Sequence, residues 1–180
     1  MSAFREIVLA IACGVLTACS SPSGPIRALD AAGPNFIVPP NFQDHRAESS
    51  KRTRTDRNKT YYGDDTIVPD IATQLWIKLE AALQREGLAG KPAVMLKEAE
   101  VVVTLPRAED AAMGGPLVWL ADRKYLLVNI HGTVNARSFS AGVYKKQFSW
   151  PDESDIAHAV DEATSDAVAR ILIVLKTPAA

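Results

Sequence analysis

Two stretches of the chain carry apolar residues at the spacing of an α-helix. In the first, apolar residues recur every three or four positions, and Gly87 supplies a C-terminal stop. Pro69 fits a first helical turn with Asp64 or Asp65 ahead of it, so we predict a helix that starts there and ends at Gly87. Its apolar stripe consists of Ile71, Leu75, Leu79, Ala82 and Leu83, widened by Trp76 and Ile77.

The second helical stretch covers the C-terminal part of the chain. Ser154 lies where an N-cap belongs, and Lys176 lies at the opposite end, where a positive charge suits the helix dipole. We therefore predict a second amphipathic helix with one face in the core. Its apolar and small positions are Ile156, Val160, Ala163, Thr164, Ala167, Val168, Ile171, Leu172 and Leu175.

Between the helices the pattern changes to the two-residue alternation of β-strands. Segments 93–105, 124–134 and 138–150 alternate in this way, and a short apolar stretch at 35–38, stopped by two prolines, predicts an edge strand. The sequence therefore predicts an α+β fold. It is a two-layer sandwich in which an antiparallel sheet of about four to five strands carries two amphipathic helices on one face.

The last predicted strand has an aromatic side, formed by Tyr144, Phe148 and Trp150. If these side chains point to solvent, they form a docking patch, because exposed aromatic patches are rare on monomers. If they point to the helices, they belong to the core. The opposite side, with Phe139, Ala141 and Val143, is less bulky, which favours burial of the aromatic side.

Segment 44–64 is the most polar part of the chain. Residues 44–59 contain six bases and three acids and almost no apolar side chain, so we predict a long mobile loop over 44–64. Its charge suggests contact with lipid phosphates, an acidic glycan or an acidic protein, and the alternative is a solvated loop without a partner. The candidate partner-binding residues are Lys51, Arg52, Arg54, Arg57, Lys59, Tyr61 and Tyr62.

Composition agrees with one globular domain and excludes several functions. The chain has 180 residues, is 47% hydrophobic and carries a formal charge of -1, so it lacks the basic excess of a nucleic-acid binder. It has no G-x-S-x-G motif and no phosphate-binding loop. Its histidines at 45, 131 and 158 lack the spacing of metal ligands. We therefore predict no catalytic residue, no metal site and no cofactor.

The N-terminal segment has the features of an export signal. Arg5 is followed by an apolar run of about ten residues, half of the ~20 that a membrane-spanning helix requires. The sequence Leu16-Thr17-Ala18-Cys19 then resembles the lipobox of bacterial lipoproteins, while the alternative is an ordinary secretory signal in which Cys19 has no role.

The lipobox resemblance implies a covalent membrane anchor. Cleavage would fall between Ala18 and Cys19, and the thiol of Cys19 would carry diacylglycerol, with a further acyl chain such as palmitate on the freed amine. Three acyl chains hold a protein on a bilayer essentially permanently. Ser20, in place of an aspartate, implies the periplasmic face of the outer membrane. The predicted organisation is a signal peptide at 1–18, a flexible tether at 19–34 and a single domain at 35–180.

The mature domain also resembles the YajG-like lipoproteins. The shared features are a strand that closes on the phrase Phe42-Gln43-Asp44-His45-Arg46, a polar loop, and a helix ending in Gly87-Leu88. The long basic insertion and the C-terminal helix depart from that family. The resemblance implies a non-enzymatic lipoprotein of the cell envelope.

Three functional hypotheses follow. The first is a lipid-anchored accessory or scaffold lipoprotein that binds an envelope protein or acidic glycan. The second is an enzyme acting on cell-wall or lipid material, and the third is a carrier of a small lipidic ligand. A scaffold requires an exposed aromatic or charged patch, an enzyme a cleft with clustered titratable groups, and a carrier a sizeable apolar cavity.

Overall fold

The structure, a computed structural model, describes residues 26–27, 41–88, 92–105 and 124–177. These residues form eight strands, one short 3-10 helix at Glu48–Lys51 and two α-helices. In chain order the elements are β1 (Ile26–Arg27), β2 (Phe42–Asp44), β3 (Arg54–Asp56), β4 (Lys59–Tyr62), β5 (Ile67–Val68), α1 (Ile71–Arg85), β6 (Val94–Thr104), β7 (Lys124–Val134), β8 (Arg137–Gln147) and α2 (Glu153–Lys176).

The main sheet is antiparallel in the order β3-β4-β6-β7-β8, and β2 adds a parallel pairing to the start of β6. The sheet is not closed, and β8 forms one of its edges. This confirms the predicted α+β class with two helices and an antiparallel sheet. A second, two-stranded sheet pairs β1 with β5 in parallel.

The core lies between the inner face of the sheet and the two helices. Alternate residues of β6, β7 and β8 enter it, and α2 contributes small residues as well as large ones. The helices run in the same direction, because Lys78 of α1 contacts Asp161 of α2, and Glu86, just after α1, contacts Lys176 at the end of α2. Both helices therefore begin at the end of the sheet where β8 stops.

The turn between β7 and β8 fixes the register of the longest hairpin. Asn135 and Ala136 both have positive φ, 47° and 65°, as a two-residue hairpin turn requires. Val134 then pairs with Arg137, and the pairing continues without interruption to Lys124 and Gln147.

Both helices begin at a different residue from the one predicted. Helix α1 begins at Ile71 because the carboxylate of Asp70, not Asp64 or Asp65, accepts the backbone N–H of Thr73. Pro69 precedes the helix. The N-cap of α2 is Asp152, not Ser154, because Asp152 and Asp155 exchange hydrogen bonds with each other's backbone N–H in a capping box.

The predicted loop 44–64 contains regular structure, so the expectation of an irregular segment was wrong. Strands β3 and β4 form an antiparallel hairpin, and β4 pairs with β6. Hydrogen bonds hold the hairpin in place, because its strands contain few apolar side chains. For example, the backbone N–H and the hydroxyl of Thr53 both donate hydrogen bonds to the carboxylate of Asp65. The hairpin lies at the sheet edge, where one face can be polar.

Three further predictions differ from the structure or fall outside it. Strand β1 at 26–27 lies within the predicted tether 19–34 and is paired with β5. The strand predicted at 138–150 ends at Gln147. The strand predicted at 35–38 lies outside the described residues, and the signal peptide does as well.

Candidate docking surface

The outer face of the sheet, opposite the helices, carries a row of large side chains across five strands. Its members pair directly with one another from strand to strand, and paired residues project to the same face. From β3 to β8, this central row consists of Arg54, Tyr61, Val102, Leu127 and Tyr144.

At each end of the central row, an aromatic ring makes a specific contact with a neighbouring side chain. The guanidinium of Arg54 lies 3.9 Å from the centroid of the Tyr61 ring, a cation–π contact, and also lies 3.6 Å from the carboxylate of Glu100. At the other end the rings of Tyr144 and Tyr125 stack, with centroids 5.6 Å apart and planes inclined by 21°. The positive charge of Arg54 is therefore matched by Glu100, which lies beside the row, and the centre of the row is apolar.

The aromatic side of β8 faces solvent, so the expectation that it is buried was wrong. Tyr144 is 62% exposed, Phe148 73% and Trp150 39%. The inner side of β8 packs in the core where α2 contacts the strand, and it contributes Phe139 and Ala141, which are 3% and 5% exposed. Because side chains alternate between the two faces of a strand, Tyr144 lies on the outer face.

The structure separates the candidate residues of segment 44–64 into three groups. The charge of Lys51 is matched by Glu48 at 2.9 Å and Asp44 at 3.8 Å, and Tyr62 is 6% exposed in the core, so neither offers a free charge or an exposed ring to a partner. Arg54 and Tyr61 lie in the central row. Three bases are exposed at the surface: Arg52, Arg57 and Lys59.

A buried ion cluster at the base of the hairpin accounts for other charges of the segment. The side chain of Arg46 is 1% exposed and donates four hydrogen bonds of 2.8–3.0 Å, two to Asp44 and two to Asp64. Burial alone would raise the pKa of Asp44, but the hydrogen bonds from Arg46 outweigh it, so the pKa is lowered. Burial raises the pKa of Asp64 despite the same partner.

The pKa of Arg46 is itself raised, because hydrogen bonds to the two carboxylates outweigh the effect of burial. The guanidinium is therefore charged at all physiological pH values. The three groups satisfy one another's charges and hydrogen bonds, as in a structural ion cluster. We therefore interpret the cluster as structural.

The described residues were expected to hold no metal ion, and the domain has an open groove of notable size among them. In the part of the chain that the structure describes, no three His, Cys, Asp or Glu side chains are grouped to hold a metal ion. An open groove of about 390 Å³ lies at the end of the sheet near the β7–β8 turn. Its lining is Asn41, Gln43, Ala93, Val94, Met95, Lys97, Thr133 and Ala136.

The predicted lipidation site, Ala18 and Cys19, lies outside the described residues. Within the described ranges, no helix is both long enough and apolar enough to cross a membrane. Val102, Leu127 and Tyr125 were not among the surface residues predicted from the sequence. The alternation of β6 and β7 placed all three opposite the core-facing residues, so apolar side chains at outward positions were the available signal.

No family model matches the chain, and no curated protein matches it. A similar solved structure is that of a candidate lipoprotein from Caulobacter crescentus CB15. It shares 16% sequence identity, the alignment covers 77% of this chain and 94% of that chain, and the TM-score is 0.33. At this identity and TM-score the similarity supports no conclusion about function.

Proposed function

We propose that the chain is a lipid-anchored accessory or scaffold lipoprotein of the bacterial cell envelope. In this proposal Cys19 carries the lipid and holds the domain on the periplasmic face of the outer membrane. The domain presents the central row of its sheet to a partner protein and catalyses no reaction. The anchor is supported by the lipobox-like sequence Leu16-Thr17-Ala18-Cys19.

One observation carries the docking role. Tyr144 is 62% exposed, yet its ring is held by stacking on the ring of Tyr125. Next to Tyr144 in the central row lie Leu127 and then Val102, so the exposed surface extends across the sheet. A pre-ordered aromatic ring loses little conformational entropy on binding, and aromatic side chains are enriched at binding hot spots. The surface therefore has the properties that a protein interface requires.

The charge of the row favours a protein over an acidic glycan. Arg54 is held between Glu100 and Tyr61, so its charge is matched inside the domain. The remaining members of the central row are uncharged at neutral pH. An acidic glycan would instead require unmatched bases in the row, because polyanion recognition depends on them.

Site-specific photocrosslinking in intact cells tests the docking role. A photoreactive phenylalanine derivative at Tyr144 should capture a defined protein, whereas the same residue at Glu80, exposed on α1, should not. Leu127→Asp should abolish the capture at position 144, because it places a charge at the centre of the apolar row. An identical crosslinking pattern from positions 80 and 144 would contradict the docking role.

The anchor is tested separately. Incorporation of labelled palmitate should occur in the wild-type protein and should be lost in Cys19→Ala, because the thioether cannot form without a thiol. Cys13→Ala is the matched control, because Cys13 lies in the apolar run that is removed. Palmitate incorporation in Cys19→Ala would refute the assigned anchor site.

A further inference from the structure

One end of the domain combines exposed aromatic side chains with exposed bases. Phe148 is 73% exposed and Trp150 is 39% exposed just after β8. Lys59 and Lys146 lie in one cross-strand row that borders this end of the sheet, through Thr104 and Tyr125. We define the aromatic end as the group Arg57, Lys59, Lys146, Phe148 and Trp150.

Charge is distributed unevenly over this end. On the side of the outer sheet face, the three bases of the aromatic end outnumber one exposed acid, Asp56, which pairs with Lys59. The exposed acids Asp152 and Glu153 lie at the start of α2, on the helix side. The carboxylate of Asp152 also caps α2. A negatively charged surface would therefore meet the sheet side of this end and be repelled by the helix side.

The N-terminal strand lies at the same end of the molecule. Strand β1 pairs with β5, and two residues separate β5 from α1. Helix α1 runs in the same direction as α2, which begins three residues after Trp150. The start of the described chain and the aromatic end are therefore neighbours.

Chain length limits how far β1 can lie from a lipid on Cys19. Ile26 is seven residue steps from Cys19, and at full extension these steps span at most about 25 Å. Helix α2 has 24 residues and is therefore about 36 Å long. A domain standing on its far end, at the β7–β8 turn, would hold β1 further from the bilayer than this segment can reach.

The geometry points to a membrane contact through the aromatic end: this end rests on the phospholipid headgroups, and the sheet stands upright with its central row facing sideways. The inference rests on the proposed anchor at Cys19. Phe148 enters the boundary between headgroups and acyl chains, Trp150 lies at the interface, and Lys146 reaches the phosphates. The central row then remains accessible to a partner protein.

Fluorescence quenching by lipid-borne nitroxides tests this orientation. The lipidated protein is reconstituted in vesicles of phosphatidylethanolamine and phosphatidylglycerol with nitroxide-labelled headgroups. Cys19 is acylated in the proposed mature protein and Cys13 is removed, so an introduced cysteine is the single thiol for a fluorescent label. Three exposed positions are labelled in separate variants: Ser149→Cys at the aromatic end, Ser140→Cys on the outer face and Gln84→Cys at the far end.

We expect strong quenching at position 149 and little quenching at positions 140 and 84. Quenching at both 149 and 140 would show that the outer face lies flat on the membrane, and it would overturn the upright orientation. Equal, weak quenching at all three positions would show that no face contacts the lipid, and it would overturn the inference while leaving the anchor intact. Loss of the protein from the vesicles in a high-salt wash would refute the anchor itself.

A pair of substitutions connects the quenching to the side chains. Phe148→Ser, in the Ser149→Cys background, should weaken the membrane contact about tenfold, because full burial of such a side chain is worth at least that factor. Ile173→Ser is the matched control, because Ile173 is 64% exposed near the far end. Unchanged quenching in Phe148→Ser would overturn the role assigned to this end.

Discussion

Replacing Arg46 by methionine tests whether the ion cluster holds the hairpin to the core. Methionine has a similar length and fills the space without charge. The change removes four hydrogen bonds and leaves the carboxylates of Asp44 and Asp64 without the guanidinium that lies between them. The hairpin then loses the link between the end of β2 and the residues that follow β4.

The expected loss follows from burial. Removing one partner of a buried ion pair costs about 3–5 kcal/mol, because the other charge stays buried and unmatched. The carboxylates of Asp44 and Asp64 are 25% and 24% exposed, so water partly compensates them. We therefore expect a loss near the lower limit, about 3 kcal/mol, from a free energy of unfolding of roughly 5–15 kcal/mol.

The loss should depend on pH. In the wild-type protein the lowered pKa of Asp44 contributes stability above its unfolded pKa, and this contribution is lost as the pH falls through the folded pKa. The raised pKa of Asp64 has the opposite effect, because stability falls as the pH rises through it. Without Arg46 the pKa of both carboxyls rises. The deficit of the variant should therefore be largest near pH 7 and smaller near pH 4.

Urea unfolding, followed by circular dichroism at pH 7 and pH 4, measures the difference in the free energy of unfolding between the wild-type protein and the variant. Arg46→Lys should lose less than Arg46→Met, because lysine keeps the charge but not the paired hydrogen bonds to both carboxylates. Arg52→Met, at an exposed base nearby, is the matched control and should change the stability by less than about 0.5 kcal/mol. A loss below about 1 kcal/mol for Arg46→Met, or a loss that is the same at both pH values, would refute the assigned role.

Three further substitutions test the fold. Ala136→Gly should raise the free energy of unfolding by about 0.5–1 kcal/mol, because φ is 65° there; a lower melting temperature would contradict the turn geometry. Gly132→Ala should destabilise by about 1–3 kcal/mol in urea unfolding, since a methyl group would overlap the carbonyl oxygen of Met95, and wild-type stability would refute that packing. Ile171→Asp should prevent cooperative thermal unfolding because Ile171 is fully buried, whereas Ile173→Asp, at an exposed position, should fold; equal behaviour of the two would disprove the placement of α2.

The long elements could be predicted because their periodicity is sustained. Helices α1 and α2 and strands β6 and β7 each contain enough alternating or helical positions for the pattern to exceed chance. The first residues of the helices were misplaced because several acids near each start could act as the cap. Only the three-dimensional position of Asp70 and Asp152 decides between them.

The β3–β4 hairpin and the orientation of the outer sheet face could not be predicted from the pattern of apolar and polar residues. Strands β3 and β4 have few apolar residues, and contacts such as Thr53–Asp65 join residues twelve positions apart. The orientation of Tyr144 was misjudged because side-chain bulk was compared within β8 alone. The burial of Phe139 and Ala141 in the core, where α2 contacts β8, sets the face on which Tyr144 lies, and it is a property of the packed domain.

The Arg46 cluster also affects how the chain can vary. It fastens position 44 to position 64, so both ends of the intervening segment are held at one place on the domain. When the ends of a loop are fixed, extra residues between them add only a small entropic cost to folding, which grows with the logarithm of length. A change of length within this segment should therefore cost the fold little, provided that it keeps Asn58, which exchanges two hydrogen bonds with Leu105, in place.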